Sequence, residues 1–296
     1  MSARGVSRID PKPSRLTTLS PSFPTPAASA LITAKTLAAR APHALPSSSD
    51  TDFPCSLLLF QGRNQTHRPS VVATMTTIGF IGSGYIGSAV ARLAVAAGYD
   101  VVVSNSRGPE TLKSLVDELG PSARAATAVE AATAGDIVVV SVPFKAHTQL
   151  PVAELAGKVV LDTNNYYPQR DGNFEALDSK QTTSAQIEQE HLAGAKVVKV
   201  FNNINFKHLA SLARPAGSPE RSALPIAGDD DPAKKTTTEF LNALGYDAVD
   251  IGPLSESWRQ EPGQPVYGPP YGAFEDPTGT PAGAATIRDA IAAAQR

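Results

Sequence analysis

Cysteine is almost absent from this sequence, since Cys55 is the only one among its 296 residues. Cys55 lies within the first 74 residues, so residues 75–296 carry no thiol at all. Disulfide bonds, cysteine-ligated zinc clusters and a cysteine nucleophile are therefore excluded for that part of the chain. The remaining polar residues show no clustering typical of metal ligands, and no metal site is expected.

Long apolar runs and an excess of positive charge are also lacking. The run CSLLLF at 55–60 is far too short to span a membrane, and no run of 18 apolar residues occurs. Residues 75–296 hold 18 Lys and Arg against 25 Asp and Glu, so this part of the chain is acidic. We therefore expect a soluble protein that has neither nucleic acid nor a membrane surface as its partner.

Residues 1–74 differ from the rest because acids are scarce there. They hold eight Lys and Arg against three Asp and Glu, with nine prolines and eleven serines. This composition predicts a disordered extension. It resembles an organelle transit peptide, which would imply a mitochondrial location. An overlong gene model that truly begins at Met75 is an equally good interpretation and implies a cytoplasmic location.

From residue 76 onward, short β-branched runs alternate with longer helical patterns. This alternation predicts an α/β fold, namely a Rossmann-type doubly wound, mostly parallel sheet with a smaller C-terminal part. The strands are expected at TTIGFI (76–81), DVVVS (100–104), DIVVVSVP (136–143), KVVLDTN (158–164), KVVKVFNN (196–203), SALPIAGDD (222–230) and AVDIGPL (248–254), with a weak one near residue 125. The longer helices are expected at 85–98, 109–120, 183–194, 231–245 and 284–294.

A glycine-rich turn lies between the first strand and the first helix. Gly82, Gly84 and Gly87 have the spacing G-x-G-x-x-G that precedes a helix in dinucleotide-binding folds. The first glycine permits a tight turn, the second lets a pyrophosphate approach the backbone, and the third lets helix and strand pack closely. We expect the amides of Ser83, Tyr85 and Ile86 to meet the phosphates at the positive helix end.

The end of the second strand distinguishes between the two nicotinamide cofactors. Proteins that bind NAD usually place an acid there for the ribose 2′-hydroxyl. This sequence instead has Ser104, Asn105, Ser106 and Arg107. A hydroxyl and a guanidinium match a 2′-phosphate, which a carboxylate would repel. The sequence therefore favours NADP(H). The alternative is that Arg107 is a solvent-exposed residue of a turn and contacts no ligand.

The ends of the later strands carry neutral polar and aromatic groups. Since ligands lie beyond the carboxyl ends of parallel strands, these groups are candidate site residues. His147 and Asn202 are catalytic candidates, as a proton donor and as an orienting amide respectively. Tyr166 and Tyr167 could stack on a planar substrate. Surface exposure, helix capping and loop packing are the plainer interpretations.

Trp258 and Arg259 follow the last predicted strand and are candidates for binding an aromatic or anionic substrate. A subunit interface, as in a homodimer, would suit this pair equally well.

Several segments together resemble the NADPH-dependent coenzyme F420 reductases, and more closely their uncharacterised actinobacterial and fungal relatives. The matching segments are TIGFIGSGYIGSAVARLAVAAGYDVVVSNSRG, DIVVVSVP, VVLDTNNYYPQRDG, VVKVFNN and VDIGPLSESWR. The resemblance implies a Rossmann domain and hydride transfer between NADP(H) and a deazaflavin, without metal. It also implies 2′-phosphate contacts from Ser106 and Arg107, pyrophosphate contacts from Ser83, Tyr85 and Ile86, a hydrophobic-Pro pair near the nicotinamide at Val142 and Pro143, and a Phe-Asn motif at Asn202.

These observations predict that the chain has three parts and that it is an enzyme. Residues 1–74 are the extension, 75–203 an NADP-binding Rossmann domain, and 204–296 a C-terminal α/β part with a Pro/Gly-rich tail. The expected function is hydride transfer between NADP(H) and a deazaflavin such as F420, a flavin-like compound or another small acceptor. An imine or carbonyl reductase is the alternative enzyme, and a non-catalytic NADP(H)-binding redox sensor is the alternative outside enzymes.

Overall fold

The computed structural model describes residues 76–296. Within this range, eight strands form one sheet. They are β1 (Thr77–Ile81), β2 (Asp100–Ser104), β3 (Ala123–Ala125), β4 (Ile137–Val140), β5 (Val159–Asp162), β6 (Lys196–Lys199), β7 (Ala223–Gly228) and β8 (Asp247–Asp250). Their order across the sheet is β3-β2-β1-β4-β5-β6-β7-β8.

Helices connect the strands. They are α1 (Tyr85–Ala96), α2 (Lys113–Leu119), α3 (Ala128–Ala134), α4 (Val152–Leu155), α5 (Pro168–Asp171), α6 (Glu175–Asp178), α7 (Ser184–His191), α8 (Phe206–Ser211), α9 (Asp231–Leu244) and α10 (Ala284–Ala292). Four 3₁₀ turns add to these at Pro109–Leu112, Phe144–Gln149, Leu254–Gln260 and Pro269–Tyr271.

The sheet confirms the predicted Rossmann-type architecture. Strands β1 to β6 run parallel, β7 runs antiparallel to β6, and β8 runs parallel to β7. The chain order reverses at β1, which has β2 on one side and β4 on the other. Ligands of such sheets bind in the crevice beyond the carboxyl ends of the strands at this reversal.

The sequence explains why the layers pack so closely. Every residue of β4 is buried, as a central parallel strand covered on both faces requires. Helix α1 buries its small residues Gly87, Ala89, Ala91 and Ala94, together with Val90, against the sheet and the neighbouring helices. These short side chains bring the helix backbone near the strands, which places the first turn of α1 directly over the crevice.

The helix predicted over 109–120 is divided in the structure. Residues Pro109–Leu112 form a 3₁₀ turn, and α2 covers only Lys113–Leu119. The amide and the hydroxyl of Thr111 both donate to the carbonyl of Gly108, at 3.2 and 2.8 Å. These bonds to the third residue back tighten the turn beyond α-helical spacing.

Residues 204–296 contribute β7 and β8 to the edge of the same sheet. The predicted division at residue 203 stays a prediction, and the predictions for residues 1–74 lie outside the described residues. Among the described helices, none has the length and apolar character needed to cross a membrane.

Candidate cofactor and substrate site

The turn that follows β1 has no space for side chains. Gly82 has a φ of +99°, and a Cβ there would lie 2.1 Å from the carbonyl oxygen of Ser141. A Cβ on Gly87 would lie 2.2 Å from the carbonyl oxygen of Gly82. Glycine at these two positions therefore brings β1, the start of α1 and the end of β4 into contact.

Gly84 is different, because it faces open space. A Cβ there would meet no atom within 4 Å, and Gly84 caps α1 without any side-chain hydrogen bond. The first amides of the helix, from Tyr85 onward, therefore keep the unpaired donors of a helix start. The buried hydroxyl of Ser83 also has no partner among the described residues. An open, uncapped helix start with a spare hydroxyl fits the pyrophosphate of a dinucleotide.

The four residues predicted near the 2′-phosphate, at the end of β2 and in the loop after it, fall into two pairs with different surroundings. Ser104 is fully buried, and its hydroxyl donates to the carbonyl of Phe80 at 2.7 Å, so it fastens two strands. Asn105 shapes the turn, since its Oδ1 accepts from the amide of Arg107 at 2.9 Å. The side chains of Ser106 and Arg107 are exposed. This leaves Ser106 and Arg107 as the pair that can reach a ligand.

A cavity of about 490 Å³ opens beyond the ends of β1, β4, β5 and β6. It brings together residues from the glycine turn, the strand ends and the segment after β8. Its lining comprises Tyr85, Ile86, Ser141, Val142, Pro143, Thr163, Asn164, Asn165, Tyr167, Arg170, Asn202, Asn203, Ile204, Asn205, Phe206, Tyr267, Gly268 and Phe274. The predicted residues Tyr85, Ile86, Val142, Pro143, Tyr167 and Asn202 are thus neighbours in one cavity.

Asn164 holds the end of β4 against the end of β5. Its Oδ1 accepts from the amide of Val142 at 2.8 Å, and its Nδ2 donates to Glu188 at 2.7 Å. Its own amide donates to Asp162 at 2.7 Å, and its carbonyl accepts from Lys199. All four polar groups of Asn164 are therefore engaged, which fixes the wall that Val142 presents to the cavity.

A buried charged cluster lies behind this wall. Lys199 and Asp162 are both fully buried and form an ion pair at 2.9 Å. Glu188, also fully buried, lies on α7 beside them. Burial, reinforced by the negative charge of Asp162, raises the pKa of Glu188 well above its usual range. A protonated Glu188 leaves the cluster with one cation and one anion, which is the balance that a buried site tolerates.

Asn202 presents an unpartnered acceptor close to the cavity. Its Nδ2 donates to the carbonyl of Gln260 at 2.8 Å and to Oδ1 of Asn165 at 3.1 Å. Its own Oδ1 is buried and has no partner among the described residues. Asn202 lines the cavity, so this oxygen is suited to accept from an amide or hydroxyl of a bound molecule.

Two tyrosines that lie 100 residues apart in the sequence meet at the cavity. The hydroxyls of Tyr167 and Tyr267 form a hydrogen bond with each other. Nδ2 of Asn165 donates to the Tyr267 oxygen at 3.2 Å, and the guanidinium of Arg170 lies 4.9 Å from the centre of the Tyr167 ring. Burial, together with the bond to Tyr167, raises the pKa of Tyr267, which keeps this hydroxyl protonated.

His147 and Tyr166 do not line the cavity. His147 is 7% exposed, its Nδ1 lies 2.9 Å from the carbonyl of Phe144, and its ring stacks on Phe144. The Tyr166 hydroxyl donates to Asp178 at 2.8 Å, and its ring packs against Phe144 and Phe174. The structure places both side chains in this aromatic cluster, where packing accounts for them.

Trp258 and Arg259 also lie away from the lining residues. They belong to the 3₁₀ turn Leu254–Gln260, where the Arg259 guanidinium lies 4.5 Å from the centre of the indole. Arg296 approaches the same indole at 5.7 Å. Arg259 is also paired with Glu256 at 2.6 Å. The contacts of the Trp258–Arg259 pair are therefore with its own segment and the chain end.

Sequence reasoning missed several cavity residues, above all Tyr267 and Arg170. Tyr267 lies in the Pro/Gly-rich segment after β8, and that segment carries no periodic pattern. The available signal was a pair of tyrosines, Tyr267 and Tyr271, in a stretch otherwise typical of loops. Within residues 76–296, no group of three or more His, Cys, Asp or Glu side chains is placed to hold a metal ion.

Comparison with protein families places residues 77–166 within the model described as "NADP oxidoreductase coenzyme F420-dependent". Those residues contain the glycine turn, the loop after β2 and the ends of β4 and β5. Metalloreductase STEAP3 of Rattus norvegicus is 30% identical over 191 residues, which is 62% of this chain and 35% of that protein. The chain therefore spans about a third of the length of this curated relative.

Two solved structures are similar to the chain. One is a hypothetical protein, SMa0349 from Sinorhizobium meliloti, with 33% identity and a TM-score of 0.57, covering 65% of this chain and 93% of that one. The other is described as an F420-dependent NADP reductase from Arthrobacter sp. FB24, with 22% identity and a TM-score of 0.53. It covers 62% of this chain and 87% of that one, and at this identity it supports the fold alone.

Proposed function

We propose that this chain, whose residues 77–166 match the family of coenzyme F420-dependent NADP oxidoreductases, is an NADPH-dependent reductase that transfers hydride to a small acceptor held in the cavity. One observation carries this proposal. The glycine turn, the Val142–Pro143 wall and the tyrosine and asparagine side chains all open into the same space. A cofactor ring and an acceptor would therefore share one cavity, as hydride transfer requires.

The choice of NADP(H) over NAD(H) is supported by the loop after β2. Ser106 and Arg107 are exposed there, and no described hydrogen bond or ion pair occupies the guanidinium of Arg107. The nearest acid along the chain is Glu110. A free guanidinium fork and a hydroxyl suit the 2′-phosphate, which carries the additional charge of NADP(H).

The reduced cofactor supplies a hydride at its nicotinamide ring when bound. The chain contributes position and shape. Asn164 holds Val142 at the cavity wall, Pro143 follows it in the same wall, and the Oδ1 of Asn202 offers an acceptor for a carboxamide. Closely placed reactants, in a cavity with few charges, account for catalysis without any covalent intermediate.

The charges of the lining indicate what kind of acceptor fits. Arg170 is the only Lys, Arg, Asp or Glu among the lining residues, and its guanidinium is paired with both oxygens of Asp171 at 2.8 and 2.9 Å. No lining cation is left for an anionic group. We infer that the part of the acceptor that enters the cavity is uncharged, such as a deazaflavin or flavin ring, or a carbonyl or imine compound.

Stopped-flow oxidation of bound NADPH tests the function. The purified chain is loaded with NADPH and mixed with F420, FMN, FAD, quinones, aldehydes and cyclic imines, while loss of NADPH absorbance is followed. We expect oxidation by at least one of them, faster with NADPH than with NADH. Tight NADPH binding without oxidation by any acceptor would contradict the enzyme and favour a non-catalytic redox sensor.

A further inference from the structure

Resting on the proposed reductase function, we propose that Tyr167 is the proton donor of the reaction and that the acceptor is a carbonyl or imine compound. Tyr267 and Asn165 serve as positioning residues in a hydrogen-bonded chain that ends at the Tyr167 hydroxyl. A carbonyl or imine needs a proton on its heteroatom when its carbon receives a hydride, and this chain of groups is placed to supply one.

The proposal requires Tyr267 to donate in the bond between the two tyrosine hydroxyls, a bond whose geometry allows either direction. Nδ2 of Asn165 donates to the Tyr267 oxygen at 3.2 Å, so that oxygen already has a donor. Tyr267 can then donate its own proton to the Tyr167 oxygen. Tyr167 has no other hydroxyl contact within residues 76–296, so its proton is left for a molecule in the cavity. Both rings line the same space as Val142 and Pro143.

The surroundings of Tyr167 stabilise the phenolate that forms after proton transfer. The donated bond from Tyr267 stays in place, and the guanidinium of Arg170 lies 4.9 Å from the ring centre. Asp171 is the nearby anion: its Oδ2 accepts from the Tyr167 amide at 3.0 Å and from Arg170 at 2.8 Å. Arg170 and Asp171 thus form a neutral pair, and the bond from Tyr267 is the contact left to stabilise a negative Tyr167 oxygen.

The reaction balances with the groups named. NADPH provides a hydride, that is two electrons and one proton, to the carbon of the C=O or C=N bond, whose π electrons move to the heteroatom. The O–H bond of Tyr167 breaks, and its proton forms the new O–H or N–H bond. NADPH becomes NADP⁺, the acceptor becomes an alcohol or amine, and solvent returns a proton to Tyr167.

The test compares Tyr167→Phe with Tyr166→Phe, a neighbouring tyrosine whose hydroxyl bonds Asp178 and does not line the cavity. NADPH oxidation is measured with benzaldehyde and 2-methyl-1-pyrroline, and with FMN as an acceptor whose reduced ring is stable as an anion. We expect Tyr167→Phe to lower kcat about 100-fold with the aldehyde and imine while FMN reduction and NADPH affinity stay within about twofold. Tyr166→Phe should change none of these.

Tyr267→Phe provides a second measurement, which distinguishes a role in positioning the Tyr167 hydroxyl from a role in packing alone. Without the bond from Tyr267, the negative oxygen that Tyr167 carries after proton transfer loses its donor. Tyr267→Phe should therefore lower kcat with the aldehyde and the imine, while FMN reduction stays within about twofold of the wild type. Unchanged NADPH affinity would show that the fold is intact.

The outcomes separate the two proposals. A wild-type chain that reduces the aldehyde or imine, with Tyr167→Phe still at the wild-type kcat, would overturn the proton donor alone. A chain that reduces FMN but neither carbonyl nor imine would overturn the acceptor class. If none of the acceptors supports oxidation of NADPH by the wild-type chain, the reductase function itself would be overturned.

Discussion

Arg107 is the residue on which cofactor choice is expected to depend. Its side chain is exposed beyond β2, while Asn105 holds the turn through the Arg107 amide at 2.9 Å. Removing the guanidinium by Arg107→Ala should remove the bonds to a 2′-phosphate and leave the turn in place. A hydrogen bond to a charged group contributes about 1.5–3 kcal/mol, so KM for NADPH should rise about tenfold to a hundredfold. KM for NADH should stay within about twofold.

Steady-state kinetics with both cofactors checks this expectation. Arg288→Ala, which removes an exposed arginine on α10, serves as the control and should change neither KM. An equal rise of both values in Arg107→Ala would mean that the arginine supports the turn and does not read the phosphate.

The candidate site illustrates what single residues reveal in a sequence. The glycine turn and Asn202 could be predicted because each follows a strand whose apolar pattern is unmistakable. Tyr267 could not, since it reaches the cavity from a segment without periodicity, held there by a bond from the Gly268 amide to the Asn203 carbonyl at 2.9 Å. His147 has the right chemistry for a proton donor, but its ring stacks on Phe144 outside the cavity lining, and residue type alone cannot report that.

At the scale of elements, the glycine turn and α1 form a unit in which two glycines have opposite tasks. A Cβ on Gly87 would lie 2.2 Å from a backbone oxygen, whereas a Cβ on Gly84 would meet nothing within 4 Å. Gly87→Ala should therefore destabilise the free protein by about 1–3 kcal/mol through overpacking. Gly84→Ala should fold normally, because its φ of −71° suits alanine, but should weaken NADPH binding by filling space next to the helix start.

Urea unfolding without cofactor and NADPH titration together check this pair of variants. The two substitutions add the same methyl group within one turn of α1, so each is the control for the other. Gly84→Ala with wild-type NADPH affinity would show that the pyrophosphate does not approach this end of the helix.

Most elements were predictable, and the failures have physical causes. Strands β1, β4 and β6 carry short apolar runs rich in β-branched residues, which is the pattern of buried strands. Gly98, with a φ of +91°, follows the end of α1 close to the predicted place. The direction of β7 was not predictable, because a buried run such as LPIA reads the same in either orientation. The division before α2 comes from side-chain and backbone bonds to Gly108, which compete with the helix locally.

At the scale of the whole molecule, the cavity depends on a buried cluster that ties distant segments together. Lys199 on β6 pairs with Asp162 on β5 and donates to the hydroxyl of Ser184 on α7 at 3.2 Å. Ser184 in turn donates to Glu261 in the segment after β8 at 2.9 Å. The same cluster holds Asn164 at the cavity wall, so global stability and site geometry share one network.

Glu188 makes this network sensitive to pH. Burial and the charge of Asp162 raise the pKa of Glu188 in the folded state above the unfolded value of 4.5. The folded state therefore binds this proton more tightly, so the stabilisation is full below pH 4.5 and is lost as the pH rises above it. The slope from one such proton is at most about 1.4 kcal/mol per pH unit.

Glu188→Gln should remove that slope, because glutamine has the shape of a protonated glutamate and its Oε can still accept from Asn164. Urea unfolding from pH 5 to 8 should show the wild-type free energy of unfolding falling more steeply than that of Glu188→Gln, with the variant the more stable at pH 8. Glu220→Gln, at an exposed position, should follow the wild-type curve. A Glu188→Gln curve parallel to the wild type, or one that lies lower at pH 8, would mean that Glu188 is ionised in the fold. In that case the charge on Lys199 would have to be shared between two carboxylates.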